Sequence, residues 1–143
     1  MRPRQISVFV ENRTGRIGEV TQVLGKAGVN IRAVSLADTH DFGIVRLIVN
    51  DVDRAMQILR QEKFTVMETE VIAVEIPDEP GALSGILELL GTESVNVEYL
   101  YGFTEIKTGR AILIFRFEET MHAVKVLEAK GVKMLDGNTL HGM

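Results

Sequence analysis

The sequence predicts an α+β protein of two βαββαβ units packed side by side, each carrying an antiparallel sheet. Three observations lead there. The 143-residue chain repeats itself: with Gly15 set on Gly81, 66 positions later, "ENRTGRIGEVTQVLGKAGVNI" lies over "PDEPGALSGILELLGTESVNV". Apolar residues switch between strand period and helix period in the same order in both copies. The passage between copies, "METEV", contains no Pro, Gly or Ser, which predicts two halves packed rigidly rather than joined by a linker. The expected domains are residues 1–69 and 70–143.

The elements follow in order. "ISVFVE" and "VIAVEI" are short β-branched runs and predict a strand opening each copy. Residues 16–27 set Ile17, Val20, Val23, Leu24 and Ala27 on one stripe, and 82–91 do the same with Leu83, Ile86, Leu89 and Leu90, so each first strand leads into an amphipathic helix. "VNIRAVSLAD" and "VNVEYLYGFTE" return to strand character. Asp41-Phe42-Gly43 and Lys107-Thr108-Gly109 predict hairpin turns into "IVRLIV" and "RAILIFRF". Second helices are expected over about 52–62 and 119–130, each starting near acidic residues that suit a helix N-terminus. "FTVME" and "VKMLD" close the units as strands. This is the ferredoxin-like split βαβ order, a fold that hosts many unrelated activities, so function has to be argued from sites.

Composition narrows the classes. The formal charge is −4 and the pI about 5.4, so no overall field draws the chain to nucleic acid or anionic lipid. No apolar stretch approaches the roughly 20 residues of a membrane span. The opening "MRPRQISVFV" lacks a signal-peptide pattern, and the expected location is the cytoplasm. There is no cysteine, which removes disulfides, thiolate nucleophiles and Cys-ligated metals. No cofactor is expected.

Catalytic and nucleotide-binding patterns are missing as well. The turn after the first strand offers only Gly15 and Gly18, short of either glycine-rich phosphate motif. An RNA-reading surface needs exposed aromatics on the central strands and a basic face. Tyr99, Tyr101, Phe103, Phe115 and Phe117 are spaced by two, which reads as one shared packing face. His40, His122 and His141 fall on a loop, a helix and the C-terminal tail with no metal or triad spacing, and each reads as a solvated surface histidine.

The turn "ENRTGRIG" is left as the candidate site. A helix N-terminus presents unpaired N–H groups and partial positive charge, which favour a carboxylate. Gly15 permits close backbone approach or an unusual dihedral. Asn12 and Asn30 can each donate and accept through an amide, the mixture that a zwitterionic amino acid requires. The competing readings are an Asx-turn or helix cap for Asn12 and turn geometry alone for Gly15. Asn recurs between apolar residues in both copies, as Val29-Asn30-Ile31 and Val95-Asn96-Val97.

These residues resemble a known family. "ENRTGRIGEVTQVLGKAGVNI" is similar to the opening half of an ACT domain, the regulatory module of phosphoglycerate dehydrogenase, aspartokinase and other amino-acid biosynthetic enzymes. "PDEPGALSGILELLGTESVNV" resembles a second one, of the Asp-x-Pro-Gly type. Over nearly its whole length the chain resembles the small stand-alone tandem ACT proteins without a catalytic domain. The resemblance implies a non-catalytic, allosteric regulator that binds a free amino acid between two ACT units. The turn of one unit and the start of the second strand of the other would form the pocket.

In the first copy the implied ligand-binding residues are Asn12, Arg13, Thr14, Gly15, Arg16 and Ile17, with Asn30 and Ile31. In the second they are Asp78, Gly81, Ala82, Leu83, Asn96 and Val97. Asn12 and Asn30 match the two ligand-contacting asparagines of the serine-binding members. Those members carry a histidine where this chain has Val10, so the amino acid is left open. Arg13 and Arg16 read as solvated or interfacial, since Glu79 and Ala82 take their places in the second copy. A homodimer and a partner enzyme of amino-acid metabolism are expected, and neither nucleic acid nor membrane. The alternative is a structural interaction module of the same fold without a small-molecule ligand.

Overall fold

A computed structural model describes residues 1–38 and 41–143. Contacts divide the chain into a first unit of residues 4–70 with 141–143 and a second unit of residues 1–3 with 71–140. In the first unit the order is β1 (Arg4–Glu11), α1 (Arg16–Lys26), β2 (Ile31–Asp38), β3 (Phe42–Val49), α2 (Val52–Gln61) and β4 (Thr65–Glu70). The second contains β5 (Ile72–Pro77), α3 (Ala82–Thr92), β6 (Val97–Glu105), β7 (Arg110–Phe117), α4 (Thr120–Ala129) and β8 (Lys133–Leu135), followed by α5 (Gly137–His141), whose last residue belongs with the first unit. The sheets run β2-β3-β1-β4 and β6-β7-β5-β8, every pair antiparallel. Each unit is therefore the predicted βαββαβ fold.

Alternation decides which side of each sheet meets the helices. Ile6, Val8 and Val10 of β1 and Val45, Leu47 and Val49 of β3 share one face and bury against Val20 and Leu24 of α1 and Met56 and Leu59 of α2. Ile72, Val74, Ile76, Leu113, Phe115 and Phe117 do the same against Leu90, Ala123 and Leu127 in the second unit. Burying each such side chain contributes about 1.5–3 kcal/mol, the main force holding helix to sheet. Asp51 starts α2 by accepting from the Arg54 N–H at 3.1 Å. Gly28, at φ +76°, lets the chain leave α1 toward β2.

Four expectations are corrected. Phe42 and Gly43 are not turn residues but open β3, because they pair with Glu11 and Val10 of β1. The strand aromatics do not share one face. Phe115 and Phe117 stack at 5.2 Å between centroids inside the core, whereas Tyr99, Tyr101 and Phe103 pair with Arg116, Ile114 and Ile112 on the opposite face. Spacing by two holds only within a strand, and the pairing register sets the parity between strands. The C-terminal tail forms α5, with Leu140 fully buried. His141 is not solvated: it is buried, with Nδ1 2.6 Å from the Val49 carbonyl and Nε2 accepting from the Arg4 N–H at 3.2 Å. His122 is exposed, with Nε2 2.9 Å from the Glu93 carbonyl, and His40 lies outside the described residues.

Candidate functional site

The two β-to-α turns have the same geometry. Gly15 and Gly81 each precede a helix with φ +89° and +85°, a region that L-residues avoid, and neither helix receives a side-chain cap. The Asn12 N–H donates to the Asp41 carbonyl at 3.0 Å, and the Asp78 N–H donates to the Gly109 carbonyl at 3.0 Å. Arg16 and Ala82 then close the turns by donating to the Arg13 and Glu79 carbonyls, at 3.3 and 3.2 Å. Asn12 thus caps nothing, and its side-chain amide makes no hydrogen bond among the described residues. Each turn presents an uncapped helix N-terminus with the exposed polar side chain of Asn12 or Asp78 at its start.

The other turn residues are occupied or apolar. Arg13 Nε donates to Glu11 Oε2 at 2.8 Å, and Arg16 pairs with Glu11 and Glu19 while lying 4.8 Å over the Phe64 ring. Arg13, and then Arg16, hold the Glu11 carboxyl below the usual carboxylate range. Thr14 and Ile17 are exposed, and Ala82 and Leu83 pack partly onto the second core. A groove of about 490 Å³ runs between α1 and α2, and of the candidate residues only Arg16 lines it.

The strand half of the site lies elsewhere. Asn30 precedes β2, where its N–H donates to Asn50 Oδ1 at 2.8 Å and its carbonyl accepts from Asn50 N–H at 3.1 Å. Its side-chain amide is exposed and makes no hydrogen bond among the described residues. Asn96 differs: Nδ2 donates to Glu118 Oε2 at 3.0 Å. Ile31 and Val97 turn inward and pack on their cores. Along β3, the pair Glu11–Phe42 lies seven residues from the pair Ile31–Val49, which at about 3.3 Å per residue puts the turn and Asn30 roughly 23 Å apart. No unit brings its own turn and its own asparagine together.

One residue at the strand half carries no local sequence signal. Arg32 sits in a β-bulge between Ile31 and Ala33, and its Nε is buried without a hydrogen-bond partner. In the second copy Glu98 occupies the corresponding bulge between Val97 and Tyr99 and pairs with Arg116 Nε at 3.4 Å. The place of Arg116 is taken in the first copy by Ile48, which is fully buried. Comparing the copies position by position, Arg against Glu and Ile against Arg, is the signal that finds it. Among the described residues no group of His, Asp and Glu could hold a metal ion, and no helix is long and apolar enough to cross a membrane.

A family model described as "ACT domain pair" matches residues 1–143. The crystal structure of protein BT0572 from Bacteroides thetaiotaomicron is 37% identical, with a TM-score of 0.93, covering 100% of this chain and 98% of that one. The ligand-free regulatory subunit of aspartate kinase from Thermus thermophilus shares the fold at 14% identity and a TM-score of 0.67, covering 90% and 93%. The corresponding subunit from Thermus flavus does so at 14% and 0.63, covering 90% and 92%. No curated protein matches.

Proposed function

This chain belongs to the ACT domain family as an ACT domain pair, and from that premise we propose that it is a non-catalytic regulator that binds a free amino acid between ACT units. The observation that carries the reading is the division of each unit's polar groups into two distant halves. An uncapped helix N-terminus stands at one end of the sheet and an asparagine at the other, so only another unit can complete either half. The N–H groups of Gly15 and Ile17, which make no turn hydrogen bond among the described residues, suit an anionic group, and the free side-chain amides of Asn12 and Asn30 suit the ammonium and carboxylate of an amino acid.

The copies are unequal in this reading. Asn30 is open to a ligand, whereas the Asn96 amide is already held by Glu118. That contact favours a structural role for the second copy's strand half. Association with a second chain is part of the proposal, because β2 is an edge strand with Val34 52% and Leu36 54% exposed. Ligand binding would bias that association by no more than its difference in affinity for the two states, and a partner enzyme or regulator would respond to it. The aspartate kinase regulatory subunits among the structural neighbours make an enzyme of amino-acid metabolism the kind of partner to look for.

Calorimetry of the whole chain against the twenty amino acids tests the proposal. Heat is expected for one or a few of them and is lost in Asn12→Ala or Asn30→Ala. If none gives heat, the structural-module alternative is correct instead.

A further inference from the structure

We propose that Arg32 is the carboxylate anchor of the amino-acid site, so that the site selects for a free α-carboxylate rather than for the amine alone. This rests on the amino-acid reading above. Arg32 stands two residues from Asn30, about 6–7 Å along the strand, at the same end of the sheet. A guanidinium offers five donors in a planar fork that matches a carboxylate bidentately. Here none of them is engaged among the described residues, and the Nε is buried. An unengaged guanidinium gains charge-assisted hydrogen bonds from a carboxylate, which are stronger than neutral ones.

The second copy is the internal control. At the same bulge it carries Glu98 and satisfies that charge within the sheet through Arg116 at 3.4 Å. The first copy has neither the acid nor the opposing cation, since Ile48 stands in the place of Arg116. The two cations among the first copy's other candidate residues are paired with acids, Arg13 with Glu11 and Arg16 with Glu11 and Glu19. Arg32, by contrast, has no acidic partner among the described residues. It complements Asn30, whose side chain can accept from an ammonium while the guanidinium holds the carboxylate.

The test compares the tightest-binding of the twenty amino acids with its own α-carboxamide, by calorimetry on the full chain. The parent protein is expected to bind the amide at least about tenfold more weakly, the scale of a charge-assisted hydrogen bond. Arg32→Met should weaken the amino acid by about the same factor and leave the amide unchanged, which removes the discrimination. Arg32→Lys keeps the charge without the fork and should retain part of it, and circular dichroism of both variants checks that they fold. Equal affinity of parent and Arg32→Met for the amino acid overturns the assignment while the amino-acid reading stands. Absence of binding by every amino acid overturns both.

Discussion

Gly15→Ala, paired with Gly18→Ala, separates backbone geometry from side-chain packing at the candidate turn. Gly15 has φ +89° and ψ −12°, and a Cβ built there meets no atom within 4 Å. The substitution therefore loses no contact and makes no clash, and its whole cost is that of forcing an L-residue into the left-handed region, about 1–2 kcal/mol. Gly18 lies inside α1, also with nothing within 4 Å of an added Cβ. Alanine is favoured over glycine in a helix by up to about 1 kcal/mol, so Gly18→Ala should stabilise. The two variants should differ by about 1.5–3 kcal/mol, with opposite signs relative to the parent. Urea unfolding reads this as midpoints on either side of the parent's at unchanged slope, separated by about 1 M. A Gly15→Ala midpoint at or above the parent's, or two shifts in the same direction, would refute the assigned turn geometry.

Three other outcomes follow from the packing and the charges. Gly102→Ala places a Cβ 2.5 Å from the Ile112 carbonyl oxygen and 2.8 Å from Leu113 Cδ2, so it should cost about 1–3 kcal/mol in urea unfolding. His141→Ala removes the partners of the Arg4 N–H and the Val49 carbonyl and should destabilise by about 1–3 kcal/mol, seen as a lower urea midpoint. Arg4 donates to Glu68 at 2.8 and 2.9 Å and to Asp53 at 2.7 Å, and holds both carboxyls below their usual range. In acid the unfolded chain then binds more protons than the folded one. The ion pairs' stabilisation is present in full above the unfolded carboxyl values, roughly 4, and is lost as the pH falls through the lower folded values. Arg4→Met should flatten this acid limb when urea midpoints are compared at about pH 3.5 and pH 7.

The repeat is legible in the sequence because each element's apolar period survives in both copies. Ile6, Val8 and Val10 alternate as a strand, while Val20 and Leu24, with Val23 partly buried beside them, fall on the helical stripe that the core selects. What depends on pairing is not legible. The faces of Tyr99 and Phe115 are set by the register of β6 on β7, and Phe42 joins β3 because Glu11 lies opposite it. The burial of His141 depends on the Val49 carbonyl and the Arg4 N–H, 92 and 137 positions away in the chain, and no local pattern announces such partners. At the candidate site, the turn residues and both asparagines follow from repeat alignment. The roughly 23 Å that separates the two halves within a unit, at about 3.3 Å per strand residue, requires the sheet register. Arg32 escapes a sequence reading because a lone cation in a strand looks solvated until its neighbours are known.

The most direct test of amino-acid binding at these turns is an amide-resolved NMR titration of the full chain with each amino acid. A binding amino acid is expected to shift backbone signals in the turn from Asn12 to Ile17, at Asn30 to Arg32, or at the matching second-copy turn around Asp78 and Gly81. The rest of the helices should shift little. Saturating titrations that move none of these signals, or that move only residues remote from them, would contradict the proposed site.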